Sequence, residues 1–308
     1  MISIADKNKH LLTQLFKILV VSGAFYFIYH ELANNDKLDW TKFLEVFKKN
    51  QSISGIVFIL YLSFQNRFLE ILKWKNLVST FKIISIFDAT KQVLSALTIG
   101  IFTPNGIGEY AGKALYFEKE KAGEIVFLNL VCNGVQLILS IFFGILGLWY
   151  LGFGIQVLEI LGLIFVITMI LFFAKKIKIK GYSLNDFFEK IKKISRRIHQ
   201  KNIGFAVLRY ITFAHQYYFL FLAFDVQLPY LLIMATIATV YFLASSLPNF
   251  QFLDFAVKGS IGIYFFKIIG VNEWIVVFVT TLMWFLNIVI PIIIGSFYVL
   301  NFRLKLNK

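Results

Sequence analysis

The sequence predicts an all-α, polytopic membrane protein, and three observations lead there. Apolar runs of roughly 20 residues, the length that crosses a hydrocarbon core as helix, recur from the N-terminal region to the C-terminal one. Only 16% of the 308 residues are charged, 58% are hydrophobic and 36 are phenylalanine, giving a mean hydropathy of +0.74. Lys and Arg sit in short loops between the apolar runs, as membrane orientation requires. Apolar and polar residues do not alternate strictly, which argues against a membrane β-barrel. The net charge of +14 is carried by those loops, so it suits anionic lipid head groups rather than nucleic acid. A single cysteine, Cys132, lies inside an apolar run and excludes a disulfide framework or a cysteine cluster. His10, His30, His199 and His215 are scattered without metal-ligand spacing, and neither metal nor cofactor is expected.

Taken in order, six full spans are expected: 11–32, 53–73, 124–150, 155–174, 203–224 and 273–301. The first is longer than a signal-peptide core and lacks a small-residue cleavage site, which makes it a retained span. Residues 38–50, LDWTKFLEVFKKN, read as a short amphipathic helix on one surface. The loop 175–201 carries ten basic residues and belongs on the cytoplasmic side; both termini follow it there. That assignment puts 23 of the 31 Lys and Arg residues inside and six outside. The expected protein is one integral domain over 1–308, multi-pass in the cell's inner (plasma) membrane.

Two more apolar segments, 84–121 and 229–269, are interrupted near their middle. The charge pattern holds only if the first begins and ends inside and the second begins and ends outside. Each is therefore a helix–break–helix hairpin. Their second limbs, about 106–118 and 252–267, are short for full spans at 1.5 Å per residue, which favours re-entrant hairpins. The first break reads Pro104-Asn105, then Glu109, then Lys113. The second reads Pro248-Asn249, then Asp254, then Lys258. Opposite orientation with shared local sequence marks an inverted-topology repeat, with halves near 53–150 and 203–301 and a site at the broken helices.

The residue types at the breaks suit a polar ligand. Proline ends the preceding hydrogen-bond ladder and pushes the residue before it out of helix. Asn105 and Asn249 are N-cap types, Gly106 and Gly108 permit close backbone approach, and a fresh helix N-terminus attracts anions. Glu109 with Lys113, and Asp254 with Lys258, share a helical face and can pair. Ionisable groups at membrane depth are costly and mark functional paths. On the third span Asn129, Asn133 and Gln136 form one polar stripe that lines a cavity or bonds between helices. The substrate-binding set is these ten break residues with Asn133 and Gln136, and no catalytic residue is expected. Elsewhere, Arg67 and Glu70 are expected to snorkel and pair, Arg209 to reach for head groups, and His215 to be neutral and hydrogen-bonded.

TPNGIGEYAGKALYF resembles the proline–glycine–Gly-Glu signature of the transmembrane, flippase-like region of lysylphosphatidylglycerol synthases. RFLEILKWKNLV is similar to that family's Arg…Trp…Leu segment, and SSLPNFQFLDFAVKGSIGIYFF to its second, proline-containing hairpin. The resemblance implies hairpins entering from opposite faces and movement of lipids between leaflets. Pro104, Gly108 and Glu109 are then the signature residues, with Lys113 where the family commonly has arginine. The chain departs from the pattern twice. Uncharged polar residues around 132–136 replace a Glu-Arg pair, and NFQF replaces a glycine cluster after the second proline. The loop 175–201 is too short for the aminoacyl-transferring domain of the bifunctional synthases. The expectation is a non-enzymatic, flippase-like protein whose partners are membrane lipids, anionic or lipid-phosphate, and which moves a phospholipid or lipid-linked envelope intermediate. The alternatives are an integral membrane transferase acting on a lipid phosphate, with Glu109 or Asp254 as base, or an accessory subunit of an envelope-synthesis enzyme.

Overall fold

The computed structural model describes residues 53–104, 106–178, 183–247 and 250–302, with single positions at 15, 19, 22, 26 and 41. The expected span 11–32 and surface helix 38–50 otherwise lie outside the described residues, as do Asn105, Pro248 and Asn249. What is described is helical throughout, without a strand. Helix α1 covers Ile53–Val78, α2 Ile86–Gly100, α3 Gly108–Ala114, α4 Ala122–Tyr150 and α5 Gly154–Ala174. Helix α6 follows at Leu184–Lys193, α7 at Arg196–Ala223, α8 at Tyr230–Ser246 and α9 at Asp254–Ile268. The last, α10, runs Glu273–Leu300 and contains a π-helical turn at Phe285–Val289.

Among the described residues, four stretches are long and apolar enough to cross a membrane: Ile53–Val78, Lys119–Tyr150, Gly154–Ala174 and Glu273–Leu300. The expected span 203–224 lies inside α7, which is 28 residues long but carries Arg209, His215 and Gln216 and so falls outside that apolar set. Helix α1 continues past the expected end at 73. Trp74, Leu77 and Val78 are fully buried against Val93, Ile125 and Leu128, and that burial extends the helix. Helix α5 is the opposite case, with only 6% of its most apolar window buried. In water such a surface would be an aggregation hazard; in a bilayer it is a lipid-facing span.

Local sequence sets the other ends. Ser85 caps α2 by accepting from the Asp88 N–H at 3.0 Å. Ser183 and Asp186 form a reciprocal capping box at the start of α6, and Ser195 caps α7. The amphipathic α6 lays Phe187 on Phe127 at 5.3 Å between ring centroids, while Lys192 and Lys193 remain exposed.

Both interrupted segments form helical hairpins, α2 with α3 and α8 with α9. Each lays its first limb on the long helix that follows the other hairpin. A Cβ at Gly147 of α4 would strike the Ala235 carbonyl and Thr239 hydroxyl of α8. A Cβ at Gly295 of α10 would strike the Leu94 carbonyl and Thr98 hydroxyl of α2. Glycine there lets two helix backbones touch, as small residues do in membrane packing. The Thr98 hydroxyl, 3.3 Å from the Ile292 carbonyl, ties the second contact.

Candidate functional site

The two hairpin tips meet. Pro104 and Phe250 form an isolated antiparallel bridge, and Gln251 Nε2 donates to Glu109 Oε1 at 2.6 Å. The Trp284 indole N–H donates to the Gln251 carbonyl at 3.2 Å, which anchors the second tip to α10. Gly106 takes φ +66, and the space a side chain would need there is filled by the Gln251 amide. Proline removes one backbone donor from this turn, and Thr103 supplies local order. Its hydroxyl accepts from the Gly108 N–H at 2.7 Å and donates to the Gly100 carbonyl at 2.7 Å. Helix α3 thus starts at Gly108, whose N–H is held by the Thr103 hydroxyl.

Beside the tips lies a buried polar network drawn from α1, α7 and α10. Arg67 pairs with Glu70, and Arg209 reaches the same carboxylate at 3.2 Å. Arg209 Nε donates to Asn66 Oδ1 at 3.0 Å, Asn66 Nδ2 to Asn287 Oδ1 at 2.8 Å, and Asn287 Nδ2 to Gln216 Oε1 at 3.0 Å. Gln216 in turn donates to the Ser63 hydroxyl at 2.8 Å. Arg67 also donates to the Asn287 carbonyl. Pro291, four residues later, has no N–H to offer that carbonyl, so the π turn at Phe285–Val289 presents an acceptor to the guanidinium. Neither arginine snorkels. Arg67 and Glu70 pair as expected, but Glu70 draws both arginines inward, correcting the expectations that Arg67 snorkels and that Arg209 reaches for head groups.

The lysines of the first half are also interior. Lys73 is fully buried and donates to the Cys132 carbonyl at 3.0 Å. Lys113 is 1% exposed, donates to Asn129 Oδ1 at 2.6 Å, and lies 4.6 Å from the Trp74 ring centroid. Lys113 therefore does not pair with Glu109 as its i+4 position suggested. Asn129 on α4 takes it instead, and Glu109 takes Gln251. The second expected pair does form, with Lys258 Nζ 2.7 Å from Asp254 Oδ2.

These groups surround a cavity of about 110 Å³. Arg67, Arg209, Gln136, Asp254 and Lys258 line it, together with Tyr210, Phe213, Tyr217, Tyr241 and Asn287. Lys258 Nζ is 5.3 Å from both the Phe213 and Tyr241 ring centroids. The Tyr210 hydroxyl is buried without a hydrogen-bond partner among the described residues. Interior charge is lopsided. Arg67, Lys73, Lys113, Arg209 and Lys258 face Glu70, Glu109 and Asp254, an excess of two cations. Ions at membrane depth cost several kcal/mol each, so this imbalance among the described residues is a costly arrangement for the chain alone.

The model of the family described as the lysylphosphatidylglycerol synthase TM region matches residues 14–264. The chain belongs to that family. No curated protein and no solved structure matches it. The chain is accordingly a multi-pass membrane protein of a family tied by its name to lipid modification. The matched stretch of this lysylphosphatidylglycerol synthase TM-region protein holds the first hairpin, the second up to residue 264, and Arg67, Arg209, Asp254 and Lys258, while Asn287 lies beyond it.

Within this member of the family the sequence-predicted residues fall into three groups. Gln136, Asp254 and Lys258 line the cavity. Pro104, Gly106, Gly108 and Glu109 build the contact between the hairpins. Lys113 binds Asn129, and Asn133 donates to the Tyr110 hydroxyl at 3.2 Å, so the polar stripe of α4 bonds between helices and touches the cavity at Gln136. His215 is hydrogen-bonded as expected, to the Ile211 carbonyl at 2.8 Å and the Tyr230 hydroxyl at 2.9 Å; one neutral tautomer serves both. Sequence reasoning missed Gln251, Asn287 and the aromatic wall, and left the cavity-lining Arg67 and Arg209 out of the substrate-binding set. The available signal for Asn287 was Pro291, a proline four residues downstream in an otherwise unbroken span.

Proposed function

We propose that the protein moves a phosphate-bearing lipid, either a phospholipid or a lipid-linked envelope intermediate, between leaflets. Its head group passes through the cavity while the acyl chains stay in the bilayer. One observation carries this reading: two hairpin tips close on each other beside a buried cavity lined by Arg67, Arg209 and Lys258. Helix N-termini, which the sequence favoured as the anion seat, contribute less. Helix α3 is seven residues long, and its first three N–H groups are taken by the Thr103 hydroxyl and the Gly106 and Ile107 carbonyls. The guanidiniums, with planar forks that suit phosphate, are the better seat.

In this reading the fold is an inverted-topology repeat of six spans and two re-entrant hairpins, and both termini are cytoplasmic in the inner membrane. The exchanged packing supports it: each hairpin's first limb meets a glycine on the span after the other hairpin, through a carbonyl and a hydroxyl four residues apart. Two equivalent bodies joined this way rock about the shared cavity, as inverted repeats do. The protein then performs no bond-making chemistry of its own.

The test is reconstitution into vesicles carrying an acyl-labelled phospholipid, with movement read by quenching of the outer leaflet. Transfer above the protein-free rate is expected for the wild type. It should slow by about tenfold or more in Glu109→Leu, which uncouples the tips, and in Arg209→Met, which unmakes the phosphate seat. Protein-free rates in the wild type, with a chemically altered lipid recovered from the same vesicles, would replace this reading with the transferase.

A further inference from the structure

The cavity wall contains a group that a purely anionic head group has no use for. Asp254 projects a carboxylate into the space lined by Arg67 and Arg209, where it would repel phosphate. It is held by Lys258 at 2.7 Å, and the Lys258 ammonium sits at 5.3 Å from two aromatic faces, Phe213 and Tyr241. Carboxylate plus π faces is the environment that recognises alkylammonium ligands. A side chain of the protein occupies it here.

The second seat has a fixed relation to the first. Arg209 and Phe213 are four residues apart on α7 and share one face, so the guanidinium and the aromatic seat lie on the same cavity wall. A phosphate and a nitrogen joined by a short link can reach two seats that share one wall. Each guanidinium has five N–H donors, and those not used on Glu70, Asn66 and Asn287 remain for phosphate oxygens. The unpartnered Tyr210 hydroxyl adds one more donor on the same wall. A volume of about 110 Å³ offers room for a phosphate with a small substituent.

We propose that the cavity recognises a zwitterionic head group, a phosphodiester bearing a small alkylammonium. The phosphate lies on Arg67 and Arg209, and the ammonium replaces Lys258 between Asp254, Phe213 and Tyr241. The exchange conserves charge, because the displaced Lys258 turns from Asp254 towards the incoming phosphate. This rests on the lipid-moving reading above and narrows its substrate.

Wild-type protein in vesicles would be given acyl-labelled phosphatidylethanolamine, phosphatidylglycerol or phosphatidic acid, each with its head group unmodified. The ethanolamine lipid is expected to move about tenfold faster than the other two, the factor a single well-placed contact supplies. Asp254→Asn should collapse that preference. Phe213→Leu, which alters no charge, should narrow it by roughly threefold and serves if Asp254→Asn does not fold. Lys258→Met is the sharpest arm: it vacates the seat, so binding of phosphatidylethanolamine tightens while binding of phosphatidylglycerol weakens. Equal rates for the three lipids, a preference that survives Asp254→Asn, or a Lys258→Met protein that loses both lipids alike would each overturn the proposal. If no lipid moves at all, the transport reading fails. Thermal stabilisation of the detergent-solubilised protein by the same three lipids then decides the head-group question by itself, equal shifts refuting it.

Discussion

Asn287 shows how one residue can be placed by the chemistry of another. Its side chain joins Asn66 to Gln216, and its carbonyl serves Arg67 because Pro291 cannot. Glu70 has a comparable role among the charges, since two guanidiniums converge on it. Glu70→Gln keeps the shape and removes the charge, leaving Arg67 and Arg209 without a carboxylate. Breaking a buried ion cluster in this way costs about 3–5 kcal/mol, and denaturant unfolding in detergent should register it. Very little of this network was legible in the sequence. Asn66 and Asn287 are 221 positions apart and Arg209 and Asn66 143, and spacing rules reach only four or five residues. The same limit explains Lys113. An i+4 partner is a local preference worth a few tenths of a kcal/mol, and a buried Asn129 on another helix outweighs it.

At the scale of elements, the breaks were legible because proline, glycine and paired charges do not belong in a lipid-facing run. Which helices pack together was not, because apolar residues lack address labels. The labels turn out to be Gly147 and Gly295, each seated on the backbone of a hairpin limb. Gly147→Ala and Gly295→Ala should each cost roughly 1–3 kcal/mol through overpacking. The two sites share no partner, so the double variant should lose the sum, measurable as a lowered thermal midpoint. Helix α6 offers a pH-dependent case. Hydrogen bonds from the Ser183 hydroxyl and backbone N–H hold the half-buried Asp186 carboxyl below its ordinary value. A carboxyl with a depressed folded-state value stabilises above the unfolded-state value and stops doing so as pH falls through the folded one. Pepsin should therefore cut the 175–201 loop faster as the solution is acidified through that range, and Asp186→Ala should be cut readily throughout.

For the whole molecule, the decisive feature is that two distant halves touch at Pro104 and Phe250. Residues opposed in an antiparallel bridge have Cα atoms about 4.5–5.5 Å apart, within the reach of a disulfide. Pro104→Cys with Phe250→Cys, in a Cys132→Ala background, should cross-link on mild oxidation, shown by a mobility shift reversed with reductant. Transfer of lipid should stop in the oxidised protein and resume on reduction. Transfer that continues undiminished in fully cross-linked protein would show that the tips do not part during the cycle.

The contact between Thr98 and Ile292 also sets a clock on how this protein is made. Its two partners are 194 residues apart, so at ~5–20 residues per second the first hairpin must wait some 10–40 s before its packing surface emerges from the ribosome. During that interval a broken helix with a buried-type lysine and glutamate has no α10 to rest on. Until α10 arrives, the face of the first hairpin that carries Thr98 stays without its partner in the fold.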